Sequence, residues 1–270
     1  MTNPFTKIDV LIDYTNGHKI QWALTPFFNA PAPYKFTVLA YQDVGFKEPV
    51  YTIDAGESFW ALDDRNVRQN VLDSFLYKVQ LVDGNGEKYL SGFTDWNPNI
   101  PVIRHRYLIA SEIVRKEYVR LNAGVGEFGF LIKRRYYSPA SLGEVDVVTG
   151  EPILDSSKGS YGVGQKNGYY DPVLFKFSVE GKDSNLDLQP EGQGTSYQEV
   201  VSIRTAGFPY IESHDIVVTR DGKCYLVAKS DQTAYPGTSI NIIQVLKLQI
   251  IPPTDTVYKI NVPEFPDPNQ

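Results

Sequence analysis

The sequence predicts a mainly β protein: a β-sandwich, then one amphipathic helix, then a second run of strands. Three observations predict this. Tyr and Phe are abundant, at 18 and 14 residues against a single Met, and aromatic side chains suit pleated, half-buried surfaces. Residues 1–100 hold short alternating runs separated by turn residues at regular spacing. One segment only, Arg106–Leu121, carries clear helical periodicity. With 270 residues, 42% of them hydrophobic, the chain can bury either two ordinary cores or one large all-β core.

In chain order, Ile8–Tyr14 and His18–Leu24 are the first two expected strands, the second alternating around Ile20, Trp22 and Leu24. Tyr34–Ala40 alternates again, and Leu76–Val82 follows. The turn Asp83-Gly84-Asn85-Gly86 then predicts a hairpin, because Gly, Asn and Asp tolerate positive φ. Trp22, Phe36 and Tyr77 are expected in the core. Asp95–Pro101, with two prolines in four residues, reads as a linker. On Arg106–Leu121, Leu108, Ile109, Ile113, Val114, Tyr118 and Leu121 form an apolar stripe, and Gly124 offers a left-handed cap. Phe128–Tyr137 is an expected strand ending in a basic cluster, followed by a Gly- and Ser-rich excursion over 138–168. Further strands are expected at Val173–Glu180, Gln198–Thr205, Asp215–Thr219, Lys223–Ala228, Ile240–Ile250 and Val257–Val262, with a polar loop at 183–195 and an extended tail from Pro263. The division into 1–97 and 98–270 follows from the Pro-rich linker.

The chemistry-bearing residues do not assemble into a recognisable active site. His18, His105 and His214 are scattered, and none pairs with another at metal-ligand spacing. His214-Asp215 reads as a turn before a strand. Gly124-Val125-Gly126 and Gly162-Val163-Gly164 lack the full phosphate-loop pattern. Asp63-Asp64 and the pair Glu144/Asp146 read as solvated loop carboxylates. The lone Cys224 rules out an internal disulfide framework and reads as a small packed side chain. Ser138/Ser141 and Ser157/Ser160 have the spacing of a zinc ribbon, but hydroxyls are poor zinc ligands, so no metal is expected. No cofactor and no enzyme activity are expected. A formal net charge of −6 argues against a dedicated nucleic-acid binder. No secretory signal and no apolar run of bilayer length are visible, so the chain is expected to be soluble and made in a cytoplasm.

Two family resemblances add to this reading. Residues 1–97, through Trp22, Pro31–Phe36 and Tyr77–Leu81, resemble a fibronectin type III module, which implies an Ig-like sandwich. Tyr107–Leu121, Phe130–Tyr137, Thr149-Gly150 and Asn167–Pro172 resemble a class of tailed-phage virion proteins, in which the loop after Tyr137 often carries two Cys pairs. Here those positions are Ser138, Ser141, Ser157 and Ser160. The stretch Ser213–Ile260 is similar to phage head-closure and neck proteins, which implies a C-terminal β-barrel-like domain.

What the resemblance implies is a structural component of the virion, most simply a neck or head–tail connector protein. It would form a homo-oligomeric ring between portal and tail, against the portal and the tail terminator or sheath. Arg134, Arg135, Tyr136, Tyr137, Tyr169 and Tyr170 are the candidate contact residues, because Arg and aromatic residues dominate interface hot spots. The alternatives are a baseplate or tail-fibre attachment protein and, in another class, a carbohydrate-binding or adhesion module.

Overall fold

The structure, a computed structural model, describes residues 3–13, 17–25, 28, 30–31, 33–66, 75–135, 169–183 and 200–266. Seven strands build the first lobe: β1 (Phe5–Asp13), β2 (Gly17–Leu24), β3 (Lys35–Tyr41), β4 (Tyr51–Gly56), β5 (Trp60–Asp63), β6 (Leu76–Val82) and β7 (Lys88–Leu90). They form two antiparallel sheets, ordered β1-β2-β5 and β4-β3-β6-β7. Alternation sets the packing. Val10, Ile12, Ile20 and Trp22 of one sheet face Phe36, Val38, Val79 and Leu81 of the other, with the Trp22 and Phe36 rings 5.2 Å apart. This is the fibronectin III-like sandwich. Trp22, Phe36 and Tyr77 are buried as expected. The hairpin at Asp83 also forms: its Oδ1 accepts from the backbone of Asn85 and Glu87, and Gly86 takes φ +85°. Strands β4 and β5 were not expected: the first is an edge strand with half-exposed residues and the second is only four residues long.

Helix α1 spans Pro101–Arg120, five residues longer at its start than Arg106. Pro101 opens it, where a missing N–H is no loss. The expected linker is therefore partly helix, and its Trp96 is fully buried against Tyr107, 5.1 Å between rings. The helix ends in a π-turn, Leu121–Val125, with Gly124 at φ +96°. Its buried face is Tyr107, Ala110, Ser111, Val114 and Glu117; of the expected stripe, Val114 and Leu121 are buried, Leu108, Ile113 and Tyr118 are half-buried and Ile109 is exposed. The reason is that α1 is gripped from two sides, by β1 and by the second lobe. Small residues at 110 and 111 allow that close approach.

The second lobe is a closed six-stranded antiparallel barrel. Its strands are β8 (Glu127–Ile132), β9 (Val173–Asp183), β10 (Val200–Ala206), β11 (Ile216–Thr219), β12 (Cys224–Ala234) and β13 (Asn241–Ile250), in the order β10-β13-β12-β11-β8-β9. Leu131, Phe175, Phe177, Ile203, Val217, Val227, Leu246 and Leu248 fill the interior. Gly129 points the same way as Leu131, and a Cβ there would sit 2.8 Å from the Phe177 ring. Its lack of a side chain makes room for the two phenylalanines.

The outer face of β8 and β11, with Phe130, Ile132, Ile216 and Val218, is covered by Val257, Tyr258, Ile260 and Phe265. The expected strand Val257–Val262 is instead a 3-10 turn, Thr256–Lys259, followed by extended chain. Residues Pro263–Pro266 pack down through Phe265 on Phe130, 4.7 Å between rings. The excursion 138–168 and residues 184–195 lie outside the described residues.

The two lobes exchange side chains. Phe59, from the sandwich, joins the barrel's interior cluster. Ala206, Phe208 and Ile240, from the barrel, join the sandwich cluster together with α1. The apolar core thus runs across the expected boundary at residues 97 and 98. Gln21 on β2 donates to Gly207 O (3.3 Å) and accepts from Tyr210 N (2.9 Å). Gln244, fully buried, donates to Ala206 O (2.8 Å) and Pro209 O (2.7 Å) and accepts from Ile211 N (2.9 Å). Two glutamines therefore hold one loop from opposite sides. Gln244→Leu, of similar volume, orphans three buried backbone groups and is expected to destabilise the chain by about 3 kcal/mol or more. Urea unfolding checks this; a loss under about 1 kcal/mol would show the loop holding itself.

Candidate functional site

The surface where the lobes meet carries a cleft of about 560 Å³, lined by Lys19, Glu57, Trp60, Arg135, Tyr170 and Phe208 among others. Each element supplies its residue for a local reason. Lys19 alternates outward on β2. Glu57 sits in the turn between β4 and β5, and Trp60 opens β5. Arg135 and Tyr170 flank the ends of the second lobe's β8 and β9, and Phe208 stands on the loop held by the glutamines. Trp60 and Phe208 meet edge to face, 5.2 Å between centroids. Lys19 Nζ lies 5.0 Å from the Phe208 ring.

Of the six contact residues expected from the sequence, Arg135 and Tyr170 line this cleft, and Arg134 and Tyr169 pair beside them. Arg134 and Tyr169 form an antiparallel bridge. Arg135 Nε donates to Tyr169 O (3.1 Å), its Nη1 pairs with Glu57 Oε2 (2.8 Å), and its guanidinium lies 4.8 Å from the Tyr170 ring. Tyr169 and Tyr170 are both half-buried, and burial pushes each phenol up to about 12, only partly offset by the neighbouring arginines. Tyr169 packs on the barrel's outer apolar cluster, and Tyr170 packs on Phe59 at 5.3 Å. Tyr136 and Tyr137 lie outside the described residues, as do Ser138, Ser141, Ser157, Ser160, Glu144, Asp146 and Gly162-Val163-Gly164.

Behind Tyr170 lies a group that sequence reasoning passed over. Lys133, one residue beyond β8, is 2% exposed. Its Nζ donates to Glu212 Oε2 (2.7 Å) and Tyr210 O (3.2 Å) and lies 3.4 Å from Asp215 Oδ2. The Phe59 and Tyr210 rings stand 5.4 and 5.1 Å from the same nitrogen. Asp215, equally buried, also accepts from Arg134 N (2.9 Å, Oδ1) and Glu212 N (2.8 Å, Oδ2). Burial lowers the affinity of Lys133 for its proton, but the charges of Asp215 and Glu212 more than offset it, and its pKa is raised. Burial raises Asp215 above the ordinary carboxylate value despite Lys133. His214 takes φ +73°, as a turn residue does. The only advance signal for this cluster was a lysine at the head of a basic run and an aspartate just before a strand.

Two other carboxylates are buried, and one of them, Asp63, was expected to be solvated. Asp63 is fully buried and accepts from Tyr51 Oη (2.5 Å) and Tyr77 Oη (2.7 Å), while Tyr77 also meets His18 Nδ1 at 2.9 Å. It ties β5 to the facing sheet, so the Asp63-Asp64 pair is not a solvated one. Asp9, on the outer face of β1, is buried where the sandwich meets α1 and the barrel. Lys7 Nζ is 3.0 Å from Oδ2 and Ser239 stands nearby, yet neither meets hydrogen-bond geometry. Burial raises Asp9 to about 6, with Lys7 opposing and Asp95 adding to the rise.

The cleft thus brings the aromatic faces of Trp60, Tyr170 and Phe208 together with the charges of Lys19, Glu57 and Arg135. Among the described residues, no group of three or more His, Cys, Asp or Glu is arranged to hold a metal ion. No described helix is long and apolar enough to cross a membrane. Cys224 is buried, and burial raises its thiol to about 11. No protein-family model matches this sequence, and no curated protein matches it significantly.

Two outcomes follow from this geometry. Tyr170→Ala is expected to destabilise the chain by about 2–3 kcal/mol, because a half-buried ring is lost from Phe59, whereas Arg135→Ala should lose under about 1 kcal/mol. Equal losses in denaturant melts would refute that ordering. For Asp9 the proton binds the folded state more tightly than the unfolded one. Stability is therefore complete below about pH 4 and falls as pH rises to about 6, by roughly 3 kcal/mol. Asp9→Asn should melt higher than the parent above pH 6 and lose that advantage in acid. A constant difference across the pH range would show the carboxyl to be solvated.

Proposed function

We propose that this chain is a structural protein of a tailed-phage virion, at the neck, joining a ring between portal and tail. The observation that carries the reading is architectural. A fibronectin III-like sandwich, a helix and a closed small barrel follow one another in the chain order that the resemblance calls for. The barrel interior is filled by side chains, so it serves as a packing unit and not as a container. On this reading the protein works by assembly. Each protomer adds a modest contact, and ring closure makes the sum strong. Arg134, Arg135, Tyr136, Tyr137, Tyr169 and Tyr170 are the proposed contact residues. Portal and tail terminator or sheath proteins are the proposed neighbours, and the virion is the proposed location.

Immunogold electron microscopy of virions made by the phage carrying the gene tests the proposal. Label is expected at the head–tail junction. Label at the baseplate or fibres moves the protein along the virion, and its absence from purified particles overturns the reading.

A further inference from the structure

We propose that Lys133 and Asp215 become joined by an intramolecular amide between Nζ and the side-chain carboxyl. This inference stands independently of the neck reading. It begins from register. Ile132 of β8 pairs with Ile216 of β11 in antiparallel fashion, so Lys133 and Asp215 are the next residues outward on neighbouring strands. Their side chains meet with Nζ 3.4 Å from Oδ2, both 2% exposed. The amine and the carboxyl are thus in direct contact, held there by the sheet rather than by chance encounter. Phe59 and Tyr210 flank the nitrogen and keep bulk water away.

The surrounding groups supply what condensation needs. At rest the proton sits on Lys133. Moving it to Asp215 gives a neutral amine beside a neutral acid, a pair that burial favours relative to its cost in water. The amine lone pair then attacks Cγ, forming the C–N bond. The developing charge falls on Oδ1, where the Arg134 N–H already donates at 2.9 Å. Glu212, 2.7 Å from Nζ, takes the proton that the nitrogen sheds and returns it to Oδ2. The Cγ–Oδ2 bond breaks and Oδ2 leaves as water, past the Glu212 side chain, which is 20% exposed. One amide and one water account for every atom, and no oxidant or cofactor is required. The product locks β8 to β11 and closes residues 134–214 into a covalent loop.

Intact-mass spectrometry of the full-length purified chain, denatured before measurement, tests this. The parent is expected to weigh less than its sequence mass by one water, and tandem spectra should place the branch between Lys133 and Asp215. Lys133→Arg and Asp215→Ala should show the full sequence mass, a readout that does not require either variant to fold. Glu212→Gln keeps both reacting groups and should lower the cross-linked fraction at a fixed time at least tenfold. A parent at full sequence mass after prolonged incubation overturns the proposal and leaves an ion pair. A water loss that persists in Lys133→Arg overturns it too, and points to imide formation at Asp83-Gly84 or Asp221-Gly222.

Discussion

The exchange of aromatic side chains between the lobes is the constraint on which the rest of the structure depends. Phe59 leaves the sandwich to complete the barrel's interior, and Phe208 leaves the barrel to meet Trp60 and the sandwich cluster. Neither ring can be satisfied by its own lobe. Burying each is worth about 1.5–3 kcal/mol, and both are surrendered if the lobes part. Gln21 and Gln244 make the arrangement specific. Their side-chain amides match the backbone groups of residues 206–211 at both ends, so the loop bearing Phe208 has one acceptable position.

Helix α1 closes the joint, and the charges beside it respond to pH in opposite ways. Glu117 faces the barrel. Burial alone would raise its pKa, but hydrogen bonds from Arg120 (2.7 Å) and Arg204 (3.0 Å) more than reverse that, and it lies below the ordinary value. The stability it adds is present above the unfolded pKa and is lost as pH falls through the depressed folded one. Arg120 also donates to Ser178 Oγ at 2.9 Å, so one carboxylate gathers α1, β9 and β10. Asp9 faces the sandwich side with no such donors and runs the other way, favouring acid. The joint is therefore held by charge at one flank and strained by charge at the other. The difference lies in the partners: two guanidinium groups with matched geometry against one lysine at a poor angle.

Much of this was legible in the sequence, for physical reasons. Leu76–Val82 faces one core and one half-exposed side, so period two survives in its residues, and His18–Leu24 keeps that period although all of it but Lys19 is buried. The Asp83–Gly86 turn announced itself through backbone chemistry. Strands β4 and β5 did not, because the first is an edge strand with half-exposed residues and the second is only four residues long. The helix face was read only in part, because two lobes bury it, and a single-stripe reading assumes one. Arg135, Tyr169 and Tyr170 were found as a basic and aromatic cluster. Lys133, Asp215, Asp63 and Gln244 were missed, since a lone polar residue in an alternating run looks the same whether it is solvated or buried with partners.

Several buried polar residues share a placement that bears on what the chain can do. Interfaces between domains of one chain are ordinarily polar and permit movement. Here Gln21, Gln244, Asp9 and Lys133 all lie at or beside the joint, and all are buried. Rotation of one lobe would have to break the Gln21 hydrogen bonds to Gly207 and Tyr210 and the Arg135–Glu57 pair, and withdraw Phe59 in the same motion. A displacement applied to the sandwich is therefore passed to the barrel with little loss. An enzyme that closes over a substrate needs the opposite property, because closure requires a hinge. A component that must hold its neighbours at a fixed spacing needs this one. A joint of this kind is what the proposed assembly role would call on.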